Sequence, residues 1–205
     1  MRPLWYWRLA AWLLAGGPLL WLIWRAANGD LGPNPVEFLE HYSGDWSLRL
    51  LLAALVPTPL RLWTGRAEAL GIRRLLGLWA FFWICLHFVI YLTFDLEWSA
   101  RLLGEDLVKR TYITLGFTAW LLLVPLAITS TRGWQRRLGP RWRRLHRLVY
   151  PAALLGVFHY LWLVKADMRE PLIYLVVLVV LFGVRRFLPS RGSVSSGRRT
   201  YGRKP

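Results

Sequence analysis

Cysteine is almost absent from the 205-residue sequence, in which Cys85 is the only one. A single cysteine excludes an internal disulfide and also excludes iron–sulfur or zinc sites built from several thiolates. No C-x-x-C-H motif occurs, so a haem in this chain would be held without thioether bonds. A glycine-rich dinucleotide fingerprint is missing as well, which argues against oxidation of NAD(P)H on this chain.

Acidic residues are also scarce, because 11 Asp and Glu stand against 27 Lys and Arg, for a net charge of +16. In a soluble protein this excess would suggest nucleic-acid binding. Here the charges lie between long apolar runs, and 56% of the residues are hydrophobic, with 14 Trp among them. This pattern is typical of a membrane protein, and the length fits one domain.

The apolar runs predict an all-α fold, a polytopic membrane bundle of six helices with about 20 residues in each span. The predicted spans are Trp5–Trp24, Trp46–Trp63, Leu75–Phe94, Thr111–Thr129, Leu148–Val164 and Leu172–Leu188. The first resembles a signal peptide, but its apolar run is long and no clean A-x-A site follows, so we expect a retained helix. The second is the weakest, because Pro57 and Pro59 interrupt it.

The distribution of basic residues predicts that both termini are cytoplasmic. With the N-terminus inside, the inner segments hold 20 basic residues and one acid, whereas the outer segments hold 7 basic and 10 acidic residues. Short loops rich in Lys and Arg stay on the cytoplasmic side of a membrane. The sequence therefore predicts one transmembrane domain over residues 1–189 and a basic, disordered cytoplasmic tail over residues 190–205.

Two of the four histidines lie within predicted spans, His87 on the third and His159 on the fifth. Counting back at 1.5 Å per residue from Asp95 and Lys165 places them about 12 Å and 9 Å below the outer ends. Two neutral imidazoles at one depth can bind a haem iron axially. Zinc is less attractive, since no further Cys, Asp or Glu lies at that depth. An interhelical hydrogen bond of each histidine is the structural alternative.

His146 suggests a second redox site near the cytoplasmic face, because it lies about 20 Å before His159 along a straight helix. On an ideal helix the two side chains point about 140° apart, so the hypothesis relies on a kink at Pro151. The position opposite His146 on the third span is near Arg74, where no histidine occurs. A contact of His146 with lipid headgroups is therefore an equal alternative.

Three other features carry weaker hypotheses. His41 lies in the acidic segment Gly29–Trp46, where a solvated loop histidine is the expected role. Cys85 is expected to pack between helices rather than to bind a metal. The seven arginines of the segment Arg132–Arg147 are topology signals first, although they could also bind a phosphate-bearing cofactor or an acidic partner.

Several motifs together resemble a known family. They are RRLLGLWAFFWICLHF (Arg73–Phe88), ITSTRGWQRRLGPRWRRLHRLVY (Ile128–Tyr150), HYLW (His159–Trp162) and PLIY (Pro171–Tyr174). In this combination the chain, from about Ala10 to Leu188, resembles the MsrQ family of haem-binding membrane subunits. That family falls within the ferric-reductase-like transmembrane group.

The resemblance implies a multi-pass protein of the bacterial inner membrane that binds one or two b-type haems and FMN. Such a subunit forms a heterodimer with a periplasmic molybdopterin-containing catalytic subunit, which reduces methionine sulfoxide in envelope proteins. Electrons would come from the quinone pool or from a cytoplasmic flavin reductase. The haem-ligand histidines of the family correspond to His87, His146 and His159. The outer acids Glu37, Glu40 and Asp45 are expected to attract the catalytic partner.

Other functions remain open from the residues alone. A cytochrome b anchor of another dehydrogenase and a ferric reductase would use the same histidines. A small transporter without redox chemistry would use buried histidines as a proton relay.

Overall fold

The computed structural model describes residues 5–65, 70–164 and 167–187, and these are helical with short connections. The helices are α1 (Trp5–Ala27), α2 (Pro35–Leu55), α3 (Pro57–Thr64), α4 (Leu70–Phe94), α5 (Ala100–Lys109), α6 (Thr111–Ile128), α7 (Arg132–Leu138), α8 (Pro140–Leu145), a 3-10 turn (His146–Leu148), α9 (Val149–Leu163) and α10 (Arg169–Phe187). The predicted all-α fold is confirmed for these ranges. The predicted polar tail, residues 190–205, lies outside them.

Three helices of the described part are long and apolar enough to cross a membrane, namely α1, α4 and α6. Helices α2 and α10 have 21 and 19 residues but carry more charged side chains. Helix α9 has 15 residues. The fold is therefore a helix bundle suited to a membrane, in which three of the six predicted spans stand out by length and composition.

Helix α2 begins at Pro35, so the acidic segment predicted as a loop up to Trp46 is helical over most of its length. Two local signals start the helix: Asn34 accepts a hydrogen bond from the Glu37 amide, and Pro35 occupies the first turn. A proline costs no hydrogen bond there, because the first amides of a helix have no partner within it. The prediction of a loop histidine at position 41 is therefore wrong, since His41 lies on α2.

The proline-interrupted span is broken into α2 and α3. Pro57 and Pro59 lack amide hydrogens, so the Ala53 carbonyl accepts from the Val56 amide instead and the Leu55 carbonyl is left without a helical donor at position 59. Arg185 of α10 donates a hydrogen bond to the Leu55 carbonyl and a second, of 2.6 Å, to the Tyr150 hydroxyl. A side chain of the neighbouring helix α10 thus supplies the hydrogen bond that the Leu55 carbonyl lacks within its own helix, which makes two prolines tolerable in an apolar bundle.

We expect Arg185→Met to destabilise the bundle by about 1–3 kcal/mol, because the Leu55 carbonyl is left without its donor. Thermal unfolding of the detergent-solubilised protein, followed by circular dichroism, measures the effect. The neighbouring Arg186, which is exposed, provides the matched control. Equal stability of Arg185→Met and Arg186→Met would contradict a role of Arg185 in closing the break.

Two helix pairs frame the interior, since α2 packs along α4 and α6 packs along α9. The core residue Trp83 of α4 is fully buried, and its indole Nε1–H donates to the Ala15 carbonyl of α1 at 3.2 Å. An indole buried with its donor satisfied contributes a large apolar area without an unpaired polar group. Helix α1 is therefore fixed against the outside of the α2–α4 pair.

The α-helical conformation is interrupted between α8 and α9 by the 3-10 turn His146–Leu148, and not at Pro151. Pro151 lies in the first turn of α9, where its missing amide hydrogen leaves no helical bond unmade. The predicted kink at Pro151 is therefore wrong. His146 stands in the turn that precedes α9, so its direction does not follow from an ideal helix through His159.

Candidate functional site

His87 of α4 and His159 of α9 line one cavity, which we call the paired-histidine cavity. It lies between α2, α4, α6 and α9. Their imidazole ring centroids are 6.3 Å apart, and the two ring planes cross at 74°. The equal depth predicted from helix rise therefore corresponds to an actual pair of facing side chains.

A backbone carbonyl fixes the tautomer of each ring. The Nδ1 of His87 lies 3.0 Å from the Glu40 carbonyl oxygen, and the Nδ1 of His159 lies 2.6 Å from the Tyr112 carbonyl oxygen. A carbonyl oxygen only accepts hydrogen bonds, so Nδ1 carries the hydrogen in both rings. The lone pair is left on Nε2, which is the arrangement of a metal-binding histidine oriented by a second hydrogen bond.

The spacing of the rings fits one metal ion between them. An iron bound to two Nε2 atoms at about 2 Å requires ring centroids about 6 Å apart, since Nε2 lies about 1 Å from the ring centre. The observed separation is 6.3 Å. In the described part of the chain no group of three or more His, Cys, Asp or Glu could hold a metal ion. Two imidazoles at this separation fit the binding of a haem iron between them.

Two glycines that sequence reasoning missed lie against the histidine rings. An ideal Cβ at Gly116 of α6 would stand 2.8 Å from His159 Nδ1, and one at Gly44 of α2 would stand 3.3 Å from His87 Cε1. The first distance is shorter than any real Cβ contact, and the second is tight. The His159 ring therefore occupies space that a side chain at position 116 would need, and the His87 ring lies in tight contact with Gly44. No local pattern in the sequence distinguishes these two glycines from the others in the apolar helices.

The acids predicted to dock a partner have different environments. Asp45 forms an ion pair of 2.9 Å with Arg49, which also donates to the Tyr174 hydroxyl. Glu40 lines the paired-histidine cavity together with Asp95. Only Glu37 of the three is exposed. Asp45 and Glu40 are thus engaged within the bundle, which weakens the interpretation of the three as one free docking surface.

His146 lies in a separate cavity, which we call the arginine-lined cavity. His146 is the only histidine among its lining residues in the described part of the chain. Four arginines line it as well, two from α4 and two from α8 and the following turn: Arg73, Arg74, Arg143 and Arg147. The structure therefore does not bring His146 together with the other two, and Arg74 lines the same cavity as His146.

The hydrogen bonds of His146 give it the opposite tautomer. Its Nε2 lies 3.1 Å from the Thr129 hydroxyl, which donates its own hydrogen to the Pro125 carbonyl at 2.6 Å. The hydroxyl must therefore accept from Nε2–H, and the lone pair of His146 is on Nδ1. The Trp142 ring stacks on the imidazole at 4.0 Å. Burial, and then the positive charge of Arg73, lower the pKa of His146, so the imidazole is neutral at pH 7.

Leu51 and Cys85 are two further residues of the interior, one in the wall between the cavities and one in a helix contact. Leu51 of α2 lines both cavities and therefore forms part of the wall between them. Cys85 accepts a hydrogen bond of 3.4 Å from the Trp120 indole, in keeping with the packing role expected from the sequence.

A family model described as "Ferric reductase like transmembrane component" matches residues 43–157. This match covers α2 from Ser43, all of α4 and α6, and the first part of α9. The chain belongs to the ferric reductase-like transmembrane family. Its membership and its apolar helices make it a membrane protein.

Curated relatives of this ferric reductase-like chain cover most of its length. A protein of Xanthomonas axonopodis pv. citri is 49% identical over 180 residues, or 88% of this chain and 83% of the relative. One of Rhodospirillum rubrum is 50% identical over 194 residues, or 93% of this chain and 92% of the relative. Both relatives are named "Protein-methionine-sulfoxide reductase heme-binding subunit MsrQ".

Proposed function

We propose that this chain is the haem-binding membrane subunit of a protein-methionine-sulfoxide reductase system. It carries electrons across the membrane to a catalytic partner that reduces oxidised methionine. The observation that carries the proposal is the pair of crossed imidazoles at 6.3 Å, each with its lone pair on Nε2. The names of the relatives support the choice of cofactor and of system.

In this proposal His87 and His159 hold the iron of a b-type haem between α4 and α9. A bound haem supplies one-electron chemistry at its iron. The protein orients the two imidazoles through the Glu40 and Tyr112 carbonyls and surrounds the site with apolar and aromatic side chains. Phe88, Phe117 and Trp120 are among those side chains. An apolar surrounding limits the access of water to the iron.

The arginine-lined cavity is proposed to take a second anionic cofactor, either FMN or a second haem. Arginine forks match the geometry of phosphate and carboxylate groups, and both cofactors carry such groups. Arg73 and Arg74 approach from α4, while Arg143 and Arg147 approach from the segment before α9. His146 would offer its Nδ1 to this cofactor or, by a ring flip that breaks the bond to Thr129, its Nε2.

The proposal includes six spans with both termini in the cytoplasm of a bacterial cell, in its inner membrane. Electrons enter from the quinone pool or from a cytoplasmic flavin reductase. They leave to a periplasmic molybdopterin-containing subunit that forms a heterodimer with this chain. The excess of basic residues in the segments assigned to the inside supports this orientation. The second cofactor would then lie on the donor side and the paired histidines on the acceptor side.

Reoxidation of the reduced protein tests the function. After reduction with dithionite and its removal, we expect sharp b-type bands that persist when methionine sulfoxide alone is added. They should disappear when the molybdopterin subunit and an oxidised substrate protein are both present. Rapid reoxidation by ferric chelates without that partner would favour a ferric reductase, which the description of the matched family model also suggests. Absence of haem bands in the purified protein would overturn both functions and favour a transporter.

A further inference from the structure

Each histidine of the pair meets a carbonyl and a glycine four residues apart on the neighbouring helix. His87 meets the Glu40 carbonyl and Gly44 on α2. His159 meets the Tyr112 carbonyl and Gly116 on α6. The two contacts share this carbonyl and glycine, although α2 and α6 pack against different partners and His87 Nδ1 also lies 3.3 Å from the Ser43 hydroxyl.

Helix geometry explains the spacing. Every Cα–Cβ bond of an α-helix tilts toward the N-terminus, so the side chain at position i+4 covers the turn that begins at position i. A side chain at position 116 would therefore shield the Tyr112 carbonyl from a neighbouring helix. Glycine leaves that carbonyl open, so an imidazole can approach it and donate a second hydrogen bond to an oxygen already used within the helix.

We propose that Gly116 and Gly44 are positioning residues that set the angle between the two imidazole planes at the iron. This inference rests on the proposed haem binding by His87 and His159. At Gly116 three atoms of the His159 ring leave no room for a Cβ, which would lie 2.8 Å from Nδ1, 3.0 Å from Cε1 and 3.1 Å from Cγ. Any side chain there forces the ring to turn or to withdraw.

The ring angle has an electronic consequence. The imidazole π orbitals interact with the iron d orbitals that lie in their own direction, so parallel rings raise one d orbital and crossed rings raise two nearly equally. Rings that cross at 74° are close to the second case. Near-equal d orbitals give an oxidised low-spin haem a large g anisotropy in electron paramagnetic resonance. The highest g value therefore reports the ring angle directly.

The test compares the full-length haem protein with Gly116→Ala and Gly44→Ala. We expect a lower highest g value in Gly116→Ala, or loss of the low-spin haem signal if the ring withdraws. A smaller shift is expected in Gly44→Ala, where a Cβ would stand 3.3 Å from His87 and the ring needs only a slight movement. Gly183→Ala of α10 is the matched control, because a Cβ there would meet nothing within 4 Å.

The design separates a positioning role from simple damage to the helix. Alanine forms helices better than glycine by about 1 kcal/mol, so these substitutions do not weaken α6 or α2 by themselves. Wild-type g values in the variants that reach the membrane with haem would overturn the inference. If His87→Ala and His159→Ala also kept those g values, the proposed haem ligation would fail instead. If the histidine variants lost the signal and the glycine variants kept it, only the role of the glycines would fail.

Discussion

Replacement of either His87 or His159 with alanine should remove the low-spin haem of the paired-histidine cavity. In the proposed site each imidazole would supply one of the two ligands of the haem iron, so its loss would leave the iron five-coordinate or the site empty. We expect the low-spin haem content per protein to fall at least about tenfold in each variant, since even outer partners of metal ligands change affinity by about that factor. A pyridine haemochrome assay measures the haem content of the purified protein, and its visible spectrum shows whether the haem is low-spin.

His41→Ala is the matched control for these variants. His41 also lines the paired-histidine cavity, but it is exposed on α2, and it has no hydrogen bond or ring contact to His87 or His159 among those described. We expect its haem content and spectrum to match those of the wild type. A low-spin spectrum retained at wild-type intensity in His87→Ala would show that another side chain binds the iron.

Replacement of His146 with alanine should leave the haem of the paired histidines intact and impair the second cofactor. His146 lies in the arginine-lined cavity, whereas His87 and His159 line the paired-histidine cavity. We expect the cofactor content to fall by about half if two haems are present, or the FMN content to fall if the cavity takes flavin. Reduction by the cytoplasmic donor should slow, while chemical reduction with dithionite remains complete.

Thr129→Val complements this experiment, because it removes the hydroxyl that accepts from His146 Nε2 while the imidazole remains. We expect a changed spectrum or midpoint potential of the second cofactor without its loss. Haem and FMN contents that both stay at wild-type values in His146→Ala would contradict a cofactor site at this histidine. They would leave it as a neutral residue packed under Trp142.

The pairing of His87 and His159 could be predicted from the sequence because depth in a membrane span depends only on counting residues. Helix rise is the same in every span, and both segments end at a charged residue. The angle between the rings could not be predicted in this way. It depends on the rotation of α4 and α9 and on the surfaces of α2 and α6, which no local pattern encodes.

The roles of Gly44 and Gly116 also escape sequence reasoning. Small residues such as glycine are frequent where apolar helices pack closely together. A particular glycine therefore gains a specific role only when a histidine of another helix lies over it. The structure supplies that information by placing the His159 ring over Gly116. A glycine in a predicted span could not be separated from a simple packing contact before the helix pairs were known.

Two local errors have different physical causes. The acidic residues before Trp46 suggested a loop, although Asn34 and Pro35 form a typical helix start and could have corrected the prediction. At Pro151 the error lay in treating proline as a kink inside a helix, whereas proline is also common in a first turn. The position of the break, at the 3-10 turn before α9, depends on packing around His146 and was not readable from composition.

In the proposed site, His87 of α4 and His159 of α9 bind one haem iron between them. Rescue by free imidazole tests this most directly, with His87→Gly and His159→Gly purified in haem-loaded form. We expect both variants to show a five-coordinate spectrum that imidazole converts to the six-coordinate low-spin spectrum of the wild type, because the ligand fills the space left by the missing ring. A variant that is six-coordinate and low-spin without imidazole would contradict the pairing.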